Sequence, residues 1–182
     1  MSMKDILKKI KKGGLIDYAA TQGIREREIK KYITDKKGII YGAKALNAQV
    51  PFPLKRATQD YDVFVKDSKK AARELDRILD KRRSGNFHYV KKGEHKGTWK
   101  VKDIGGDLIK DTEDDFTLVD FSTLQKIKTV KIGRNRFSTL REIEKSKLKA
   151  LSDSRFKFRH AKDKMDVQII RAMKKKTKRR KL

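Results

Sequence analysis

The chain has 182 residues, enough for one domain with a sizeable core, and 36% of them are hydrophobic against 41% charged. Lys and Arg number 50 and Asp and Glu 24, a formal charge of +26 that attracts polyanions such as nucleic acid. The lack of cysteine excludes disulfides, zinc–thiolate centres, iron–sulfur clusters and thiol nucleophiles, and the three scattered histidines (His88, His95, His160) do not suggest a metal site.

Taken from the start, Met3, Ile6, Leu7 and Ile10 recur at helical spacing up to Gly13-Gly14, with lysines between them. Nothing here has the apolar run of a secretory signal, and no window approaches about 18 apolar residues, so the expectation is a soluble, intracellular (cytoplasmic) protein with no membrane partner. A second helix is predicted over residues 15–34, with Gly23 as a weak point in its middle at which it can split. The period then changes. Residues 38–42 read as a short buried strand closed by glycine, 43–50 as a short helix, and Pro51-Phe52-Pro53 as a loop.

Residues 60–65 form a strand of β-branched and aromatic residues, and Asp67-Ser68 offers a cap for an amphipathic helix over 69–82. Residues 87–92 and 98–104 predict a hairpin, and 116–121 another strand. Residues 129–137 read as a weak hairpin with Gly133-Arg134-Asn135 at its tip, Ser138 as the cap of a helix over 140–151, and 159–173 as a last helix. The basic end reads as a disordered arm. The segments are then an N-terminal helical part (1–37), a core (38–137), C-terminal helices (138–173) and the arm (174–182). The fold class is α/β (α+β), a mixed sheet flanked by helices.

The sharpest chemical signal is Asp60-Tyr61-Asp62. Alternate residues of a strand share a face, so two carboxylates project together from the 60–65 strand. Such a pair repels and is costly to desolvate, a cost that a divalent cation removes; hard oxygen ligands suit Mg²⁺ or Mn²⁺. A solvated strand end is the plainer reading of an isolated Asp-x-Asp. Two further features accompany this one. Gly42-Ala43 is a small-residue turn between strand and helix, where backbone N–H groups can approach a phosphate. Asp120 stands alone in the apolar strand Leu118-Val119-Asp120-Phe121 and needs a cation or several donors.

In these residues the chain resembles the DNA polymerase β-like nucleotidyltransferase superfamily, whose signature is a glycine turn, an Asp-x-Asp/Glu and a later lone Asp. The phrases Gly42-Ala-Lys-Ala-Leu-Asn47 and Arg56-Ala-Thr58-Gln-Asp60 are similar to those of minimal and abortive-infection (type IV toxin) nucleotidyltransferases. Asn47 is also similar to its counterpart in poxvirus-like poly(A) polymerase catalytic subunits. Lys147-Leu-Lys-Ala150-Leu151, followed by Arg159-His-Ala-Lys162-Asp163-Lys-Met-Asp166, is similar to the tail motif of those families. The resemblance spans residues 39–167. It implies a metal-dependent enzyme that moves a nucleoside monophosphate from a nucleoside triphosphate to an acceptor, with Asp60, Asp62 and Asp120 as catalytic metal ligands. Gly42, Ala43, Arg56, Lys147 and Lys162 would bind nucleotide, as would Arg159. Arg56 would clamp the triphosphate or pair with Asp60 or Asp62, and Asp163 and Asp166 would anchor basic side chains.

The charge favours a polynucleotide acceptor, an RNA 3′ end above all, because binding along a phosphate backbone releases counterions. Arg155, Phe156, Phe158 and Arg159 are candidates for contacting it, with Phe156 and Phe158 placed on one face by alternation. Lys174, Lys175, Lys176, Arg179 and Arg180 of the arm are candidates for tethering it. Two other readings fit the same residues: a non-catalytic basic nucleic-acid-binding protein, and a toxin-like enzyme that modifies tRNA or a protein. Oligomeric state is not legible.

Overall fold

A computed structural model describes residues 14–83, 85–104 and 115–179. The predicted helix at residues 3–10 lies outside them. Helix α1 (Gly14–Asp35) leads to strand β1 (Ile39–Tyr41), helix α2 (Gly42–Gln49) and a single 3-10 turn (Phe52–Leu54). There follow β2 (Tyr61–Val65), α3 (Ser68–Arg83), β3 (His88–Lys92), β4 (Thr98–Asp103) and β5 (Phe116–Thr123). The chain continues through β6 (Thr129–Ile132), β7 (Asn135–Ser138), α4 (Leu140–Leu151), a 3-10 segment (Ser154–Arg159) and α5 (His160–Arg179).

The strands form one seven-stranded mixed sheet in the order β3-β4-β5-β2-β1-β7-β6. Pairing is parallel between β2 and β5 and between β1 and β7, and antiparallel elsewhere. The predicted α/β class holds. Val63 and Val65 of β2 with Val119 and Phe121 of β5 are buried in one cluster with Ile33 of α1 and Ala72, Leu75 and Leu79 of α3. Burying one face of a strand this way leaves the alternate positions, Asp62 and Asp120 among them, on the other face.

Four local expectations change. Gly23 does not split α1, and a methyl group added there would meet nothing within 4 Å. Thr139, not Ser138, caps α4. The Thr139 hydroxyl accepts from the Glu142 N–H at 3.4 Å, while Ser138 is a buried residue at the end of β7. Residues 154–159 form 3-10 turns, with about three residues per turn, so Phe156 and Phe158 do not share a face: Phe158 is 83% exposed and Phe156 is partly buried. Finally, α5 continues to Arg179, through most of the stretch predicted as a disordered arm. Lys and Arg are good helix formers, and Arg171 and Lys174 both reach Glu144 of α4, which ties the helix down there. Arg180 lies outside the described residues.

Candidate active site

The sheet register assembles the site. Asp62 of β2 stands opposite Asp120 of the parallel strand β5, and Tyr41 of β1 opposite Asp62. Residues in register on neighbouring strands share a face about 4.8 Å apart. Asp60 precedes β2 by one residue, and its charge acts on both Asp62 and Asp120. Burial first, then Asp60 and Asp120, push the Asp62 carboxyl up to about 7, against the charges of Lys147 and Arg159. Burial also raises the Asp120 carboxyl; Lys100 opposes that rise and Asp60 adds to it. Asp120 Oδ1 is buried without a hydrogen-bond partner among the described residues.

Gly42 opens α2 with φ +66°, a left-handed conformation that glycine adopts without a side-chain clash. A Cβ there would lie 2.1 Å from Asp62 Oδ2 and 3.0 Å from its Cγ. Tyr41, at the N-cap, makes no side-chain cap bond, so the first N–H groups of α2 are available to an anion. Gly42→Ala is expected to destabilise the fold by about 1–3 kcal/mol, combining left-handed strain with displacement of a short, packed carboxylate. Chemical denaturation checks this. Ala43 turns its methyl into the core.

The residues present fit a hard divalent cation. Carboxylates sit side by side, one oxygen is an orphan, and the backbone closes in at glycine with no room for a methyl group. Among the described residues no group of three or more acidic or histidine side chains is placed to hold a metal ion, so the registered Asp62–Asp120 pair is the acidic unit the fold supplies. An open arrangement suits Mg²⁺, which keeps waters and takes substrate phosphate oxygens.

The structure brings Gly42, Asp62 and Asp120 together, leaves Asp60 just before β2 within electrostatic reach of both acids, and pairs Arg56 elsewhere. The Arg56 guanidinium does not pair with Asp60 or Asp62. It grips Asp166 of α5 in a bidentate pair at 2.9 and 3.2 Å. Asn47 fixes that loop by donating to the Arg56 carbonyl at 2.7 Å and accepting from its N–H at 3.2 Å. Lys147 is buried, with its ammonium 2.6 Å from Asp163 and 3.0 Å from Asp166. Arg159 completes the cluster at 3.1 Å from Asp163. Asp163 and Asp166 therefore anchor basic side chains, as the sequence suggested. Lys162 is exposed on α5. Arg155 is held by Asp153 and stands over the Phe156 ring at 6.0 Å.

Sequence reasoning missed Tyr41, Ser122 and Lys100. The Tyr41 hydroxyl and Ser122 Oγ lie 3.1 Å apart, the Tyr41 ring stacks on Phe64 at 4.0 Å, and Lys100 pairs in register with Asp120. Only strand pairing reveals them.

No protein family and no curated protein matches the chain by sequence. Among solved structures it is similar to the Megavirus polyadenylate synthase, at 16% identity and a TM-score of 0.64, over 93% of this chain and 35% of that one. It is also similar to JHP933 from Helicobacter pylori, at 19% identity and a TM-score of 0.52, over 82% of this chain and 64% of that one. The chain thus spans about a third of the length of the viral protein and less than two thirds of the bacterial one. What these likenesses show is an architecture: the chain shares the fold of the parts of those two proteins that it covers.

Proposed function

We propose that the protein is a metal-dependent nucleotidyltransferase that joins a nucleoside monophosphate from a nucleoside triphosphate to a hydroxyl acceptor, an RNA 3′ end. The observation that carries this is the registered pair Asp62 and Asp120, with an orphaned carboxylate oxygen beside a glycine bend. The polyadenylate synthase among the structural neighbours and the charge of +26 support RNA as the acceptor.

Asp60, Asp62 and Asp120 would hold Mg²⁺ or Mn²⁺, which when bound supplies charge neutralisation at phosphate oxygens. Gly42 and the N-terminus of α2 would receive the β and γ phosphates. Asp120, its pKa raised by burial, would accept the proton of the attacking hydroxyl. The hydroxyl oxygen forms a bond to the α phosphorus, the bond between that phosphorus and the bridging β oxygen breaks, and pyrophosphate leaves. Arg155, Phe156, Phe158 and Arg159, with Lys174, Lys175, Lys176 and Arg179 on the last turns of α5, would carry the polynucleotide. Lys162 remains a candidate phosphate contact, whereas Lys147 and Arg56 would act through the carboxylates they hold. No helix among the described residues is long and apolar enough to cross a membrane.

The test is incubation with labelled nucleoside triphosphates, Mg²⁺ and RNA. Incorporation is expected at RNA 3′ ends, lowered about 10³-fold in Asp120→Asn. Label on a protein band would favour the toxin-like reading. No label with any nucleotide or acceptor would leave a non-catalytic binding protein.

A further inference from the structure

The row that holds the two carboxylates does not end at Asp120. Across the sheet, Tyr41 pairs with Asp62, Asp62 with Asp120, Asp120 with Lys100 and Lys100 with Lys91. These five residues of β1, β2, β5, β4 and β3 lie in direct register. Their side chains therefore leave the same face, in a line perpendicular to the strands. At about 4.8 Å between strands, Lys100 stands about 5 Å and Lys91 about 10 Å beyond Asp120, towards the β3 edge. The order of charge along the line is directional: glycine bend, two carboxylates, two lysines.

The Lys end has a rim. The tight turn between β3 and β4 carries His95, whose ring centroid lies 6.0 Å from that of Phe156 in the 3-10 segment. That turn and that segment therefore meet at the side of the row away from Gly42. His95 also acts electrostatically on Asp120, which places it near the same carboxylate. At the other end Gly42 and the start of α2 take up the space against Asp62. A triphosphate received at Gly42 would lie on the Asp62 side of the row, and the β4–β3 side of Asp120 lies away from it.

We propose that this row is an acceptor track: a single-stranded polynucleotide crosses the sheet from the β3 edge with its 3′ end at Asp120, its next phosphates on Lys100 and Lys91 and its terminal base against the His95–Phe156 pair. The proposal rests on the nucleotidyl-transfer reading and deepens it by setting the direction of entry. Each lysine neutralises one backbone phosphate, so its loss weakens binding of every sequence alike and reduces the salt dependence.

The experiment uses the full chain and a fluorescein-labelled single strand of about 12 nucleotides, as RNA and as DNA, read by anisotropy without triphosphate. Lys100→Gln is expected to raise Kd about 10-fold, to lower the log–log salt slope by about one, and to raise the acceptor KM without changing the triphosphate KM. Lys91→Gln is expected to act in the same direction, and Lys100→Arg to retain binding. Lys128→Gln, which removes the same charge in the loop before β6 at the opposite edge of the sheet, is expected to stay within about twofold. Equal losses with RNA and DNA fit a track that reads phosphates, and a larger loss with RNA fits one that also contacts the ribose. If Lys100→Gln binds like Lys128→Gln while wild-type incorporation proceeds, the track is wrong and nucleotidyl transfer stands. If Lys100→Gln loses binding but the wild type incorporates nothing, the polynucleotide track stands and the transfer reading falls. A Lys100→Arg variant that fails as badly as Lys100→Gln, both folded by thermal melting, also overturns the track.

Discussion

Replacing Asp62 with Asn is expected to raise the stability of the protein and abolish the proposed nucleotidyl transfer. The carboxyl sits at about 7 in the fold against 3.8 ordinarily, raised by burial and by the charges of Asp60 and Asp120. Between those two pH values the folded state binds a proton that the unfolded chain has released. Unfolding free energy therefore falls as pH rises from about 4 to about 7, and the whole deficit is present above that. At about 1.4 kcal/mol for each pH unit the deficit reaches up to about 4 kcal/mol, less where water reaches the carboxylate rim. Asn removes the charge and keeps the shape. At pH 8 the variant should melt about 5–10 °C above the wild type, and at about pH 4 and below the two should nearly coincide. Mg²⁺ should raise the wild-type Tm at pH 8 and leave the variant almost unmoved, because a ligand stabilises only the state that binds it. Incorporation should drop about 10³-fold or more. A variant less stable than the wild type at pH 8, or a gain of equal size at both pH values, sinks the account.

Stability withheld at one position for function is a common pattern, and here it follows from where the strands pair. The paired acids are legible in the sequence because alternation within a strand is a local rule: Asp60 and Asp62 share a face whatever lies beside them, and an Asp between Val119 and Phe121 stands out from its apolar neighbours. Gly42 is legible as part of a small-residue turn between a strand and a helix, whereas its left-handed φ of +66° is visible only in the fold. Pairing between strands is not local. Nothing in residues 98–103 says that Lys100, rather than Trp99 or Val101, falls beside Asp120. That depends on the register of β4 on β5, which includes a shift between Val101 and Lys102. Arg56 shows the same limit: two carboxylates stand within six residues of it, yet the guanidinium goes to Asp166, 110 positions away. Phe156 and Phe158 fail in the opposite way, because a strand rule was applied to a stretch that turns every three residues. The basic end is helical to Arg179 where its composition alone suggested disorder, and Glu144 on another helix supplies the difference.

The second large effect is expected at Lys147. Its side chain is 6% exposed, and those of Asp163 and Asp166 are 1% and 0% exposed. Three cations, Lys147, Arg56 and Arg159, hold two buried carboxylates supplied by one helix. The cluster joins α4, α5 and the loop that leads into Asp60, so it fixes the C-terminal helices against the strand that carries the acids. Lys147→Met keeps the stem and deletes the charge, leaving each carboxylate with a single arginine. Breaking a buried pair in this way costs about 3–5 kcal/mol, or about 6–20 °C in Tm. It also removes a positive charge that opposes the rise of the Asp62 carboxyl, so the midpoint of the stability loss with pH should move upward in the variant. The partner substitution separates this role from direct phosphate binding. Combining Lys147→Met with Asp163→Asn should restore part of the lost stability, a coupling of about 1–3 kcal/mol, since the second change removes a charge the first left under-compensated. Were Lys147 a phosphate ligand, Lys147→Met would instead raise the triphosphate KM while the Tm stayed within about 2 °C of wild type. Thermal melts of the two single variants and the double, measured from pH 5 to pH 9, decide between the two.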